Sequence, residues 1–339
     1  MSKIGYQLLS PAEKSAYQRL EEAFASYSST ADLSGIDPSL DIKKLVDMTL
    51  GDHPEVFYFD KTRLKTRASA FGDRQLIFDD AVFPLQAVAM QKQLSKALDK
   101  AVQEIELLNP MTDYDKLICI YEYMQDHITY DYKELENISR GGHGTSDPHT
   151  AYGALINKKA VCDGISCAFA LLAERMGFEC YVTHGTSLLH GPSPIGHSWN
   201  IIKVGGKYYH VDATWDISYK NTIGQYSYMY FCVNDDLIGS DHTWDVNVSP
   251  FCSHDELSFY KKNRCFANNL TQMTEIFTRI ARSKQSVVHV RLEEGFPVPD
   301  PQNQYLLDQW MKAISAARRG NGARGLWSET ARCFIGIIV

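Results

Sequence analysis

Val161-Cys162-Asp163-Gly164-Ile165-Ser166-Cys167-Ala168-Phe169-Ala170-Leu171-Leu172 is the stretch from which the rest of this 339-residue chain is read. It reads as a cysteine at the first turn of a buried helix. A thiol there meets the positive end of the helix dipole and unpaired backbone N–H groups, and both favour the thiolate, the nucleophilic form. Ala and Leu pack the later turns, and Gly177 ends the helix. A buried cysteine is by itself more often a small hydrophobe, so the weight falls on the residues C-terminal to this helix.

Gly196-His197-Ser198-Trp199-Asn200-Ile201-Ile202-Lys203-Val204 reads as a strand. Gly205-Gly206 is a two-residue turn, and Lys207-Tyr208-Tyr209-His210-Val211-Asp212-Ala213-Thr214-Trp215 is its return. The turn sets the register. Val204 faces Lys207, Trp199 faces Asp212, and His197 faces Thr214. His197 and Asp212 are then diagonal neighbours on one face, with Cβ atoms roughly 7 Å apart or less, within hydrogen-bonding reach. The alternative is an ordinary solvated hairpin face. Against it, Asp212 lies between Val211 and Ala213 and opposite Trp199, and a carboxylate in such company needs a partner. The three residues fit one mechanism. Cys162 attacks, His197 moves the proton, and Asp212 fixes the imidazole tautomer, with the Cys162 backbone N–H as an oxyanion donor.

Cys162 in Val-Cys-Asp-Gly, His197 in Gly-His-Ser-Trp-Asn and Asp212 in Tyr-Tyr-His-Val-Asp-Ala-Thr-Trp-Asp resemble the three core motifs of the transglutaminase-like superfamily, in order and with gaps of 35 and 15 residues. Leu117–Met124, Ile128–Tyr132 and His149–Leu155 resemble the segments ahead of that core in bacterial members. The likeness spans roughly residues 112–232. It implies an α+β fold with a papain-like core, the cysteine helix packed on an antiparallel sheet. It also implies a Cys-His-Asp triad acting on an amide carbonyl through a thioester. Tyr130, Tyr152 and Trp199 are candidates for a second oxyanion donor or for substrate binding, because each carries an O–H or N–H; each such residue is more often a core aromatic. Asp163 is read as capping the helix start.

Apolar residues make up 44% and charged residues 22% of the chain, an ordinary globular balance. The net charge of −7 argues against nucleic-acid binding. Residues 271–339 differ, with nine basic and six acidic side chains. Eight cysteines form no short-spaced framework and no C-x-x-C pair, so reduced thiols are expected. Cys162, Cys180, His184, His190 and His210 have spacings that fit no standard metal site, and no calcium loop occurs, so neither metal nor cofactor is expected. With no signal segment and no long apolar run, a cytoplasmic protein without a membrane span is expected.

Three regions are expected. Residues 1–109 are mainly helical, with helices over 11–28, 42–51 and 84–108, the last placing Leu94, Leu98, Val102 and Ile105 on one face. Short strands fall at 56–59, 63–69 and 75–78. Residues 110–265 are the catalytic core. A helix starts after Thr112, the glycine-rich loop 140–148 lies near the cleft, strand 178–183 borders the hairpin, and loop 188–196 carries His190. A loop covers 216–224, and strand 226–233 closes the sheet. Residues 266–339 are a small α/β extension without assigned chemistry. The leading function is a cysteine peptidase or amidase acting on peptide or protein substrates. A catalytically silent peptide-binding module, a cross-linking transglutaminase, or acyl transfer from a small thioester are the alternatives.

Overall fold

The structure, a computed structural model, describes residues 3–59, 61, 64–68, 73–79, 81–140, 147–188, 193–320 and 322–339. The cysteine helix spans Cys162–Arg175 and buries Ile165, Phe169, Leu172 and their neighbours. Burying each large side chain of this kind contributes about 1.5–3 kcal/mol. Met176 and Gly177 come next, Gly177 with φ +96°, where a side chain would be strained.

One face of this helix packs on a four-stranded antiparallel sheet. The strand order is Lys207–Val211, Ile195–Val204, Glu179–Ser187, His242–Trp244. The Gly205-Gly206 turn, with φ of +57° and +80°, puts Val204 opposite Lys207 as its spacing demands. On other sides the helix meets Asp113–His127, Pro84–Glu106 and Ala151–Leu155.

The N-terminal segment is packed on this unit. One buried cluster runs from Leu9 through Leu45, Phe59, Leu98 and Tyr121 to Phe169 and Cys232. Helix Ile42–Asp52 lies against strand Glu179–Ser187. Its last residue, buried Asp52, accepts hydrogen bonds from the Gly5 and Tyr6 N–H groups and from Tyr17 Oη at 2.8–3.0 Å, tying down the start of the chain. Helix Pro84–Glu106 buries Leu94, Leu98, Ala101 and Ile105. Strands Leu64–Ala68 and Arg74–Phe78 form a small sheet with Thr30–Asp32.

Beyond residue 265, strands order as Phe266–Ala267, Val287–Leu292, Cys333–Ile338 and Ala323–Ser328. Helices Leu270–Arg282 and Gln302–Ala316 pack on that sheet through Phe277, Leu306 and Trp310. Buried Arg291 joins it to the core: Nε meets Cys333 Sγ at 3.1 Å, the guanidinium lies over the Tyr260 ring, and it also bonds the Met229 carbonyl.

Several expected elements differ. The hairpin ladder ends at Asn200 opposite Val211. Asp212 instead caps a helix over Ala213–Ile223 by accepting from the Thr214 N–H at 2.8 Å, so the expected loop 216–224 is helical. Tyr226–Val233 is not a strand. Buried Asp216 takes the Met229 and Tyr230 N–H groups at 3.0 and 3.1 Å, which removes them from any ladder, and His242–Trp244 supplies the fourth strand. Val56–Phe59 is buried but irregular. Strand Ala323–Ser328 carries no clear strand pattern, because Gly325 interrupts it; a Cβ there would stand 2.6 Å from the Phe334 ring. Residues 141–146 and 189–192 of the loops expected at 140–148 and 188–196, with His143 and His190, lie outside the described residues.

Candidate active site

Cys162 is the first residue of its helix, so its N–H has no acceptor within the helix. The Ser198 N–H, on the neighbouring strand, points at the Cys162 sulfur. Strand Ile195–Val204 therefore brings both a donor to the sulfur and, one residue earlier, the imidazole of His197.

His197 is buried, and its Nε2 lies 2.8 Å from Asp212 Oδ2. The hydrogen bond expected from the hairpin register is thus present, although Asp212 has already left the ladder. It is the first residue past the last pair. Nε2 donates to the carboxylate, which leaves Nδ1 with the lone pair that can take a proton. Trp199 stacks on the His197 ring with centroids 5.9 Å apart, and Trp215 flanks it at 6.1 Å.

A second histidine reaches the same carboxylate. His242 Nε2 sits 3.2 Å from the same Asp212 Oδ2, and its Nδ1 sits 2.5 Å from Asp241 Oδ1. Burial disfavours its charge, but the two carboxylates outweigh burial and raise its pKa to about 9. Burial would raise Asp212, yet the two imidazoles hold that carboxyl well below the usual range. No short-range motif announces His242, because it lies 30 residues beyond Asp212 and arrives from the far edge of the sheet.

The thiol departs from expectation. Burial pushes Cys162 up, the adjacent Asp163 carboxylate adds to this, and the Ser198 N–H only partly opposes it. Asp163 does not cap the helix, whose cap position is Val161. It bonds His149 Nδ1 at 3.0 Å and the Ser198 hydroxyl, and these with Lys61 keep it ionised despite burial. A fixed negative charge one residue from the sulfur works against the helix dipole.

Cys162, His197 and Tyr130 line one cavity of about 840 Å³. Its remaining wall is mostly apolar: Ile42, Val46, Leu64 and Leu76 from the N-terminal segment, Leu135 and Ile138 from helix Tyr132–Ser139, and Ile195. Lys43, Asp47, Lys61 and Asp163 add charge of both signs. The other two donor candidates are placed elsewhere. Tyr152 Oη is 2.6 Å from Gln93 Oε1, and its ring packs on Phe57. Trp199 Nε1 is 3.0 Å from His210 Nδ1. Neither lines the cavity.

Among the described residues, two groups bring three possible ligand atoms within 4.8 Å of one another, His197–Asp212–His242 and His210–Asp235–Cys252. Hydrogen bonds account for both. His210 accepts from Trp199 on Nδ1 and donates to Asp235 Oδ1 at 2.7 Å on Nε2, leaving no free lone pair.

Residues 101–213 match the family model described as the transglutaminase-like superfamily. Human and mouse (Mus musculus) kyphoscoliosis peptidase are each 24% identical to the chain over 212 residues, covering 58% of this chain and 30% of theirs. The chain therefore spans about a third of the length of these curated relatives. A solved structure described as a TGase has 15% identity and a TM-score of 0.33, covering 45% of this chain and 44% of that one. No helix among the described residues is long and apolar enough to cross a membrane. The segment matched by the transglutaminase-like superfamily model is the one that carries Cys162, His197 and Asp212.

Proposed function

We propose that the chain is a cysteine-dependent amide hydrolase or acyl transferase acting on peptide or protein substrates. The observation that carries this reading is the buried His197 Nε2–Asp212 Oδ2 hydrogen bond of 2.8 Å, made by a histidine that lines the same cavity as Cys162. His197 Nδ1 takes the thiol proton as the sulfur attacks the amide carbonyl carbon. The amide C–N bond breaks, and the same proton passes to the leaving amine, giving a thioester. Water, or an acceptor amine, attacks the thioester, and its proton returns through His197 to the sulfur. The raised thiol favours proton removal during attack over a preformed ion pair. The Cys162 N–H and Tyr130 Oη serve as oxyanion donors; burial and the neighbouring Cys162 keep the Tyr130 hydroxyl protonated. The apolar wall suits a peptide carrying a large apolar side chain beside the scissile bond.

The raised thiol also favours the alternative of a silent peptide-binding module. The test is the pH dependence of Cys162 alkylation by iodoacetamide in the wild type and in His197→Ala, together with hydrolysis of a peptide library. Slow alkylation at neutral pH that falls further in His197→Ala, with Cys162-dependent cleavage, supports the enzyme. Alkylation unchanged by His197→Ala and no turnover would leave a binding module. Release of amine without water incorporation, when an acceptor amine is supplied, would mark cross-linking.

A further inference from the structure

His242 takes no part in those proton transfers, yet it touches Asp212 at the same oxygen as His197 does. Its two ring nitrogens face two carboxylates, Asp212 on one side and Asp241 on the other. A carboxylate oxygen only accepts, so both nitrogens must carry hydrogen to satisfy both contacts, and the ring is then a cation. His242 is 1% exposed. A buried cation is retained only where it is paired, and His242 is paired on each side.

The other groups around it fit that charge. Tyr230 Oη donates to Asp241 Oδ2 at 2.5 Å, which fixes the outer carboxylate. Trp199 and Trp215 bracket the ring at 4.9 Å, Tyr230 lies at 5.5 Å, and His197 lies at 5.2 Å. His210 is the remaining titratable neighbour; burial lowers its pKa, against the pull of Asp235, so it adds no competing cation. The ring sits on the edge strand His242–Trp244, which pairs with Gly185–Ser187.

We propose that His242 is a positioning residue that, as an imidazolium clamped between Asp212 and Asp241, keeps Asp212 ionised and aimed at His197. This rests on the proposed role of Cys162 and His197. Without the His242 charge, Asp212 and Asp241 are two buried carboxylates facing an empty place. Asp212 then gains a reason to hold a proton or turn away, and the acid-base pair that serves the thiol is weakened. The added cation also lowers the cost of forming a thiolate nearby.

The test uses the full chain in two measurements. The first is alkylation of Cys162 by iodoacetamide between pH 6 and 10 in the wild type, His197→Ala and His242→Gln, with near-UV circular dichroism to establish that each is folded. In His242→Gln the rate at pH 8 is expected to fall about tenfold, equivalent to a thiol midpoint one pH unit higher. The second is histidine side-chain ¹⁵N NMR of the wild type, which needs no variant. His242 is expected to show both nitrogens protonated at pH 7.5. A neutral His242 ring at that pH overturns the proposal. So does an unmoved alkylation profile in folded His242→Gln while His197→Ala shifts it. If His197→Ala leaves alkylation unchanged, the reading of the site itself fails and His242 has no catalytic pair to position.

Discussion

Tyr121 Oη lies 2.8 Å from the main-chain carbonyl of Asp212 and also hydrogen-bonds the Asp216 carboxylate. One hydroxyl from helix Asp113–His127 thus holds the residue that orients His197 and the residue that shapes the segment after it. Tyr121→Phe removes the single O–H that the buried Asp212 carbonyl and the buried Asp216 carboxylate share. A loss of about 1–3 kcal/mol of stability is expected, read by urea denaturation. Slower Cys162 alkylation should accompany it; unchanged stability would mean that water replaces the hydroxyl.

Asp216 accepts from Ser227, Tyr121 and two backbone N–H groups while fully buried, and burial raises its pKa to about 6 against the pull of those donors. The folded state therefore keeps a proton that the unfolded chain releases near pH 4. Between about pH 4 and 6 the native state binds more protons, so stability falls as pH rises through that window, by about 3 kcal/mol for a shift of this size. In Asp216→Asn this slope is expected to vanish. Overall stability should drop, because an amide nitrogen then faces a backbone N–H. Denaturation curves at pH 4.5 and 6.5 compare the two proteins.

His242 has the opposite charge type and gives a second window. Its pKa rises from 6.5 to about 9 in the folded state. Its stabilisation is complete below pH 6.5 and is lost as pH climbs through about 9. Unfolding free energy should fall across that interval in the wild type and stay flatter in His242→Gln. Parallel curves for the two proteins would contradict a buried imidazolium.

Gly185 pairs with Trp244, and a Cβ built on it would stand 2.0 Å from the Thr243 carbonyl oxygen and 2.9 Å from the Trp199 ring. Gly185→Ala cannot keep the edge strand in place, and His242 leaves with that strand. The variant is expected to fold with a lower Tm and to lose the pH signature assigned to His242. Retention of that signature in the histidine NMR spectrum would show that the strand accommodates the methyl group.

Thr66 is exposed on strand Leu64–Ala68 and lines the cavity wall. Thr66→Trp is expected to narrow access from the N-terminal side. Labelling of Cys162 by a leucyl-peptide chloromethyl ketone should slow about tenfold, near 1.4 kcal/mol. The smaller iodoacetamide should react as before. Equal slowing of both reagents would point to distortion rather than occlusion.

Much of the local order was legible because short-range rules decide it. The Gly205-Gly206 turn leaves a single register, which carries the ladder to Asn200 opposite Val211 and so brings Asp212 to the end of the strand beside the one that holds His197. The apolar run after Cys162 demands a buried helix wherever it lies. The helices after Pro11, Asp41, Pro84 and Thr112 carry their own start signals, and each begins where those signals stand.

Long-range contacts decided the rest. Val-Asp-Ala-Thr-Trp-Asp extends a strand pattern, but Asp212 gains more by capping a helix, and nothing nearby in sequence says so. Tyr226–Val233 has strand composition, yet Asp216 captures its N–H groups from 13 and 14 residues away. The expected activation of Cys162 by its helix start is opposed by desolvation of the thiol and by the adjacent Asp163 charge. Sequence alone determined the Cys162 helix and the hairpin register that points to a His197–Asp212 contact, because each depends on neighbours within a few residues or on one tight turn. The tertiary structure decided the second histidine on Asp212 and the apolar cavity, because those depend on which distant charges and side chains the packed chain brings to one place.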